Sequence, residues 1–342
     1  MMRKRETKPK AMWVYFLVAF AAVCLAFASL YGSGYLNPEE KPFANAFHGE
    51  FQKFAEETFD KNHDGVFSKA ELEAVEKIDL PELPENVKCA VWNSQWLSCF
   101  PNLKMFYCSE WGISELSVRN NPKLAVLDCS KNLITELDLS NNPEMEYVDC
   151  SKQGKIDVWD SYTPLKYEGL KKLTLRNNPK LHILMLTGND VAVLNLADSP
   201  DLEILECEQN QLVQLDLSAN VRLRELKCSV NYLGVLDLLS QQELKLLDCR
   251  GNLLTELRLP VEPAYLERLD CAQNLLTELD VHGAPELSEL NCEENRLETL
   301  DISWCTKLSY VNCNYNNAAK INSKGCPEDL WIDGTNVEWI WH

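Results

Sequence analysis

The sequence predicts a solenoid of stacked repeats, rich in parallel strands and poor in helix. Three observations carry that expectation. First, Cys108, Cys129, Cys150, Leu186, Cys207, Cys228, Cys249, Cys271, Cys292 and Cys313 fall into one register, 21 residues apart with one step of 22 and one of 36. Second, these positions sit in variations on a Leu-x-x-Leu-x-Cys-x-x-Asn-x-Leu frame, as in Leu124–Asn142, LAVLDCSKNLITELDLSNN. Third, a second apolar pair, Leu137-x-Leu139, recurs as Leu194/Leu196, Leu215/Leu217, Leu257/Leu259, Leu279/Val281 and Leu300/Ile302. A fixed period in the low twenties with this pattern is the signature of a leucine-rich repeat. The expected architecture is a horseshoe with parallel strands on its concave face.

The physics of one unit explains the pattern. Leu127 and Cys129 alternate with Val126 and Asp128, as in a short strand with one buried face. Three residues after the cysteine comes Asn132, repeated as Asn189, Asn210, Asn231, Asn252, Asn274, Asn295 and Asn316. An amide there can bond backbone groups that the turn would otherwise bury without partners. The Leu137-x-Leu139 pair reads as a second extended segment on the opposite side of the coil. One unit cannot bury both halves, and stacking does so.

Composition excludes some partners. A net charge of −19 argues against nucleic acid and against an anionic membrane surface. Fourteen cysteines would suggest disulfides in an exported protein. Their spacing instead predicts a column of reduced thiols about 5 Å apart, each packed inward as a small apolar side chain. No Cys-x-x-Cys pair is present, so zinc is not expected.

Residues 1–10 are basic, with Arg3, Lys4, Arg5, Lys8 and Lys10. Ala11–Leu30 carries no charge and is long enough to span a bilayer. It reads either as a signal peptide, cut after Ala26-Phe27-Ala28, or as a transmembrane signal anchor. The length of the run and the presence of Trp13 and Tyr15 favour the anchor. Both readings export the rest: a cell-membrane protein with one N-terminal anchor and extracellular repeats, or a secreted one if cleaved after Ala28. Cys24 lacks the small preceding residue that lipoprotein cleavage needs. Residues 31–42 form a polar linker.

Residues 43–78 predict an EF-hand, a small helix pair around a Ca2+ loop. Asp60-Lys-Asn-His-Asp-Gly-Val-Phe-Ser-Lys-Ala-Glu71 has the required residue types at the ligand positions. Asp60, Asn62 and Asp64 offer side-chain oxygens, Val66 its carbonyl, Ser68 a water-mediated contact and Glu71 a bidentate carboxylate. Gly65 permits the sharp turn. Phe43, Phe47, Phe51 and Phe54 precede the loop at helical spacing, and Leu72, Val75 and Ile78 follow it. A single hand beside a repeat array suits a structural calcium site better than a switch.

Residues 79–107 read as an N-terminal cap unit, since Trp96–Cys108 parallels Leu139–Cys150. Trp92, Trp96 and Phe100 are expected to close the first coil. Cys89 and Cys99 lie outside the ladder, as a disulfide or as two buried thiols. The repeats occupy 108–316. Beyond them the pattern decays into a C-terminal cap, 317–342, with Ile321, Cys326, Trp331, Ile332, Val337, Trp339, Ile340 and Trp341. Whether Cys305 and Cys326 pair stays open.

Between Cys150 and Leu175 the array carries about fifteen extra residues, including Trp159, Tyr162 and Tyr167. Insertions in a solenoid map to loops, often on the binding face, and aromatics dominate binding hot spots. The alternative is a tolerated insertion without a role. Pro260 and Pro263 mark a longer turn at the 22-residue step.

The strand face gives the sharpest functional expectation. The residue three before each cysteine reads Met105, Val126, Tyr147, Ile183, Ile204, Glu225, Leu246, Arg268, Glu289, Tyr310. The residue one before reads Tyr107, Asp128, Asp149, Met185, Glu206, Lys227, Asp248, Asp270. The N-terminal half of the concave face therefore bears an apolar stripe beside an acidic one, a combination that marks interfaces. Expected partner-binding residues are Met105, Tyr107, Val126, Tyr147, Trp159, Ile183, Met185 and Ile204. The competing explanation is that strands favour Val and Ile regardless of binding.

The Cys-bearing coil, LDCSKNLITELDLSNNP, resembles the cysteine-ladder internalins, surface proteins of Listeria. The order of an EF-hand like FDKNHDGVFSKAEL, a unit like LSCFPNLKMFYC and then the array is similar to exported repeat proteins of gut Firmicutes. The resemblance covers residues 43–316. It implies a bacterial cell-surface or secreted binding protein with host or microbial contacts, and names no ligand. The sequence departs from that pattern in showing no C-terminal sorting motif, second hydrophobic span or cell-wall repeat.

An enzyme is not expected. His48, His63, His182, His282 and His342 share no motif. No phosphate loop, serine elbow or zinc helix is visible, and no small-molecule substrate is implied. Two classes remain: a module that binds a protein or glycan on its concave face, and an envelope protein that assembles only with itself.

Overall fold

A computed structural model describes residues 50–80, 94–154, 168–261, 265–317, 320–334 and 338–341. The chain divides into two compact units, Met1–Leu72 and Glu73–His342. The expected targeting segment, the linker, Cys89, Trp92 and the aromatic insertion with Trp159, Tyr162 and Tyr167 lie outside the described residues. Among the described residues, no helix is long and apolar enough to cross a membrane.

In the first unit, helix α1 (Glu50–Phe59) and helix α2 (Lys69–Glu73) flank the Asp60–Ser68 loop. Ala55, Phe59, Phe67 and Leu72 are buried. The Phe59 ring meets Phe54 at 5.8 Å and Phe67 at 6.4 Å, both edge-on. The helical spacing of Leu72, Val75 and Ile78 predicts a longer exit helix than is found. The helix stops at Glu73, and Lys77–Asp79 is a strand with Ile78 buried at its centre. A polar–apolar–polar triplet satisfies either period, and pairing with the next strand decides for the strand.

The second unit is a solenoid built on three-residue strands. Along one face run β1 (Lys77–Asp79), β2 (Met105–Tyr107), β3 (Val126–Asp128), β5 (Tyr147–Asp149), β7 (Ile183–Met185) and β8 (Ile204–Glu206). They continue as β9 (Glu225–Lys227), β11 (Leu246–Asp248), β13 (Arg268–Asp270), β14 (Glu289–Asn291), β16 (Tyr310–Asn312) and β18 (Trp331–Asp333). These form one twelve-stranded sheet in chain order, and its strand pairs are parallel. The opposite side carries shorter sheets: β4 (Glu136–Asp138) with β6 (Lys172–Thr174), β10 (Val235–Asp237) with β12 (Glu256–Arg258), and β15 (Thr299–Asp301), β17 (Lys320–Asn322) and β19 (Glu338–Trp341). The expected second extended segment is thus a strand at Leu137, Leu257 and Leu300, and is not paired as a strand at Leu194–Leu196, Leu215–Leu217 and Leu279–Val281.

The central residue of the main strands from β1 to β16, such as Leu127, Leu184, Leu205, Leu226 or Leu290, is buried, and its two neighbours face outward; in β18 the central Ile332 is half-buried. The following cysteine is buried too, and the ladder thiols are free. Full burial of one leucine contributes about 1.5–3 kcal/mol, and it recurs in every coil. At the N-terminal end, Trp96 packs edge-on against Phe100 at 5.7 Å and Phe106 at 6.2 Å. Leu97 and Leu103 are fully buried beside them.

Two columns of amide side chains tie the coils together. In the first, Asn132 Oδ1 accepts from the backbone N–H of Trp111 and Ile113, and Nδ2 donates to the carbonyls of Cys108 and Cys129. Gln153 fills the same place in the Cys150 coil, which lacks the asparagine, accepting from Ile134 N–H and donating to Cys129 O. The second column was not among the expectations. Asn121, Asn142, Asn178, Asn220 and Gln241 each donate to carbonyls of the preceding coil, as Asn220 does to Leu196 and Ser199. Cys305 and Cys326 are later members of this column. They are free thiols, with Sγ against the carbonyls of Val281 and Ile302.

A third column is conformational. Two residues after the ladder position the backbone is left-handed in Glu110, Lys131, Lys152, Gly188, Gln209, Val230, Gly251, Gln273, Glu294 and Tyr315. Only two of these are glycine, the residue that adopts such a φ without steric cost.

Candidate functional site

The outward rows of the main sheet are assembled by register. Met105, Val126, Tyr147, Ile183 and Ile204 are direct partners across β2, β3, β5, β7 and β8. All five are partly exposed. Beside them, on the far side of the buried residue, runs Tyr107, Asp128, Asp149, Met185, Glu206 in the same register. Seven of the eight expected partner-binding residues are thus gathered on one face. The eighth, Trp159, lies outside the described residues.

The chemistry of the two halves differs. Asp128 Oδ1 accepts from Ser130 N–H at 3.0 Å and Ser130 Oγ at 2.7 Å, and Asp149 Oδ1 accepts from Ser151 N–H at 2.9 Å. Neither carboxylate forms an ion pair among the described residues. Burial pushes the Asp149 carboxyl above the usual carboxylate range, against the Ser151 bonds, and the neighbouring Asp128 charge adds to the rise. Tyr147 donates its hydroxyl to Met185 Sδ at 3.4 Å, a weak acceptor. Burial, followed by the Asp149 charge, raises that hydroxyl as well.

Further along the sheet, polar groups on neighbouring coils engage each other. Lys227 meets Glu206 at 2.6 Å, Arg268 meets Glu289 at 3.5 Å, Asn291 donates to Asp270 at 3.1 Å, and Asn312 donates to Glu293 at 3.0 Å. Tyr310 packs edge-on against Trp331 at 6.0 Å. Charged side chains of the C-terminal half are in part paired across coils, while Asp248 and Asp270 have uncharged donors only among the described residues; the N-terminal half presents five apolar groups in register beside Asp128 and Asp149. Outside both rows, Val230, Tyr232 and Leu253 expose apolar surface around an open groove of about 610 Å3 at the turns.

The candidate calcium loop is held by its own backbone. Asp60 accepts from the N–H groups of Asp64 at 3.2 Å and Gly65 at 2.8 Å. Asn62 Oδ1 accepts from Asp64 N–H, and Asp64 Oδ1 from Val66 N–H. Glu71 accepts from Lys61 and Asn62 N–H through Oε1, and from Ser68 N–H and Oγ through Oε2. The Ser68 hydroxyl and N–H, more than the other bonds, hold the Glu71 carboxyl down at about 2. Gly65 has φ +76° with open space where a side chain would project. Among the described residues no three His, Cys, Asp or Glu side chains converge on one point as a ready metal cluster. The donors themselves are hard oxygens with a glycine at the sharp turn, the set that suits calcium.

His182 Nδ1 lies 3.1 Å from Asp201 O, and His282 Nδ1 lies 2.7 Å from Asp280 Oδ1.

No family model matches the chain, and no curated protein matches it. Among solved structures it is similar to the functional domain of InlJ from Listeria monocytogenes, which includes a cysteine ladder. That match has 25% identity and a TM-score of 0.53, and covers 81% of this chain and 66% of that one. It is also similar to YopM, a leucine-rich effector protein from Yersinia pestis, at 23% identity and a TM-score of 0.56, over 76% of this chain and 65% of that one. A leucine-rich repeat protein of Leptospira interrogans matches at 18% identity and a TM-score of 0.50, over 79% of each chain. The chain spans just under two thirds of the length of the first two. These likenesses show a leucine-rich repeat fold.

Proposed function

We propose that this chain is an exported bacterial leucine-rich repeat protein that binds a protein partner through the N-terminal half of its concave strand face. The observation that carries the reading is the contrast along one sheet. Five apolar residues in unbroken register lie beside Asp128 and Asp149, whereas in the following coils the same row turns to Glu225, Leu246, Arg268 and Glu289. Further burial of that apolar row is worth about 25 cal/mol per Å2 removed from water. Asp128 and Asp149 then select partners with basic groups beside their apolar contact and speed the encounter. The apolar row suits a protein surface better than a glycan. The likeness to a cysteine-ladder domain from Listeria supports an exported role, with Ala11–Leu30 as anchor or signal.

Calcium is part of the proposal. Asp60, Asn62, Asp64, Val66, Ser68 and Glu71 would hold it, and a bound cation would neutralise the loop carboxylates and fix α1 against α2. Calorimetric titration of calcium into the full-length protein tests this: the expected heat is lost in Glu71→Gln, and an unchanged heat in that variant would refute the site.

The binding reading is tested by immobilising the full-length protein with and without calcium and exposing it to host-surface and bacterial-envelope extracts. A partner retained by the native protein and lost from Ile183→Glu/Ile204→Glu is the expected result. Equal retention by the variant, or no partner for a folded protein, would replace the reading with self-assembly.

A further inference from the structure

We infer that the partner element seated on this face is an amphipathic α-helix lying along the solenoid axis, with its apolar stripe on Val126, Tyr147, Ile183 and Ile204 and with Lys or Arg on the flank above Asp128 and Asp149. The inference rests on the concave-face reading and specifies its occupant.

Spacing selects the helix. Neighbouring strands in a sheet lie about 4.8 Å apart, so the apolar row offers one side chain at each such step. A helix repeats its face every 5.4 Å or so, and an i, i+3, i+7, i+10 stripe advances about 5.0 Å per contact. Helix and row therefore stay matched, one side chain per coil, over the five coils of the apolar row. An extended segment running the same way presents same-side residues about 6.7 Å apart and loses step with the coils after two contacts. Nor can it add itself to the sheet here. The strands β3, β5 and β7 each have a parallel partner on both sides, so their backbone groups are already used.

Charge selects the flank. The two outward rows are two residues apart on each strand, about 6.7 Å, within reach of a lysine or arginine that grows from the edge of a helix seated on the apolar row. Asp128 and Asp149 are in register with each other, each has one oxygen engaged by its local serine, and neither has a cation. Glu206, at the end of the row, already has Lys227 at 2.6 Å. The cationic residues of the helix thus belong opposite the first coils, not the last, which fixes the direction of its charge asymmetry along the array.

Two display libraries test the proposal, one randomising a single face of a fixed helical scaffold and one randomising an extended loop. Both are panned on the full-length protein. The expected result is helical binders with an i/i+3/i+7 apolar stripe flanked by Lys or Arg. Their affinity should fall at least thirtyfold on Ile183→Glu/Ile204→Glu, and several-fold, with a flatter salt dependence, on Asp128→Asn/Asp149→Asn. The second variant leaves the apolar row intact, so a folding defect in the first cannot carry the result. Face-dependent binders from the loop library alone would overturn the helix and leave the concave-face reading standing. Helical binders indifferent to the Asp128/Asp149 change would overturn the charged flank. No binder from either library sensitive to Ile183 and Ile204 would overturn both.

Discussion

The side-chain amide of Asn231 donates to the carbonyl of Cys207 in the preceding coil at 3.0 Å and to the carbonyl of Cys228 in its own coil at 3.1 Å. Its oxygen accepts from Leu212 N–H at 3.0 Å. One buried side chain therefore satisfies the backbone of two coils. Asn231→Ala leaves those groups without partners in the interior, and each such group costs about 1–3 kcal/mol. The expected loss is about 2–4 kcal/mol in urea denaturation. Asn231→Gln should lose less, because Gln153 fills the equivalent place in its own coil.

Val230 stands one residue before that amide with φ 56° and a side chain 54% exposed. A β-branched residue in the left-handed region carries about 1–2 kcal/mol of steric cost. The next coil uses Gly251 at the same place. Val230→Gly should raise stability by about 0.5–1 kcal/mol, with the gain in conformation partly offset by the freer unfolded chain. Thermal unfolding of the two proteins checks it.

The ladder thiols should be inert in the native protein. Burial pushes Cys108, Cys129, Cys228, Cys249 and Cys292 well above the ordinary thiol range, and the neighbouring thiols and carboxylates add to it. Cys313, nearer the C-terminal end, is raised to about 11. Only the thiolate attacks, so iodoacetamide at pH 8 should leave Cys129 and Cys228 unlabelled until denaturant is added. Peptide mass spectrometry reads this directly, and native labelling at a free-thiol rate would refute the buried column.

Asp149 should weaken the fold that carries it. Its folded carboxyl titrates above the ordinary range, so folding is penalised once both states are charged, at neutral pH. The penalty fades as pH falls through the folded value and is gone below the unfolded one. Asp149→Asn should therefore raise the Tm at pH 7 and leave it nearly unchanged at pH 3, while weakening partner binding. A lower Tm at pH 7 would contradict this.

The sequence made the solenoid legible because cysteine, leucine and asparagine each hold one register. The two outward rows of the face followed from strand alternation alone, as Val126 and Asp128 on either side of Leu127 illustrate. What escaped was chemistry spread over several residue types. Gln153 performs the asparagine's task with one more methylene. The second column passes through Asn142, Ser199, Gln241 and Cys305, which share a place and not a name, although Asn121-Pro122, Asn142-Pro143 and Asn178-Pro179 hint at it. Left-handed backbone at Val230 has no local signal, since only Gly188 and Gly251 mark that column. Ile78 was ambiguous because three residues cannot distinguish a helical from a strand period, and only pairing with Met105–Tyr107 resolves it.

The measurement that bears most directly on the binding face compares two substitutions in one row. Ile183→Glu lies in the apolar half, and Leu246→Glu lies at the equivalent place three strands further on, beyond Ile204 and Glu225. Each full-length variant, with its fold verified by circular dichroism, is titrated by surface plasmon resonance against the partner retained by the native protein. The account expects Ile183→Glu to weaken binding by at least thirtyfold and Leu246→Glu to change it less than threefold. Equal losses, or a loss confined to Leu246→Glu, would contradict it.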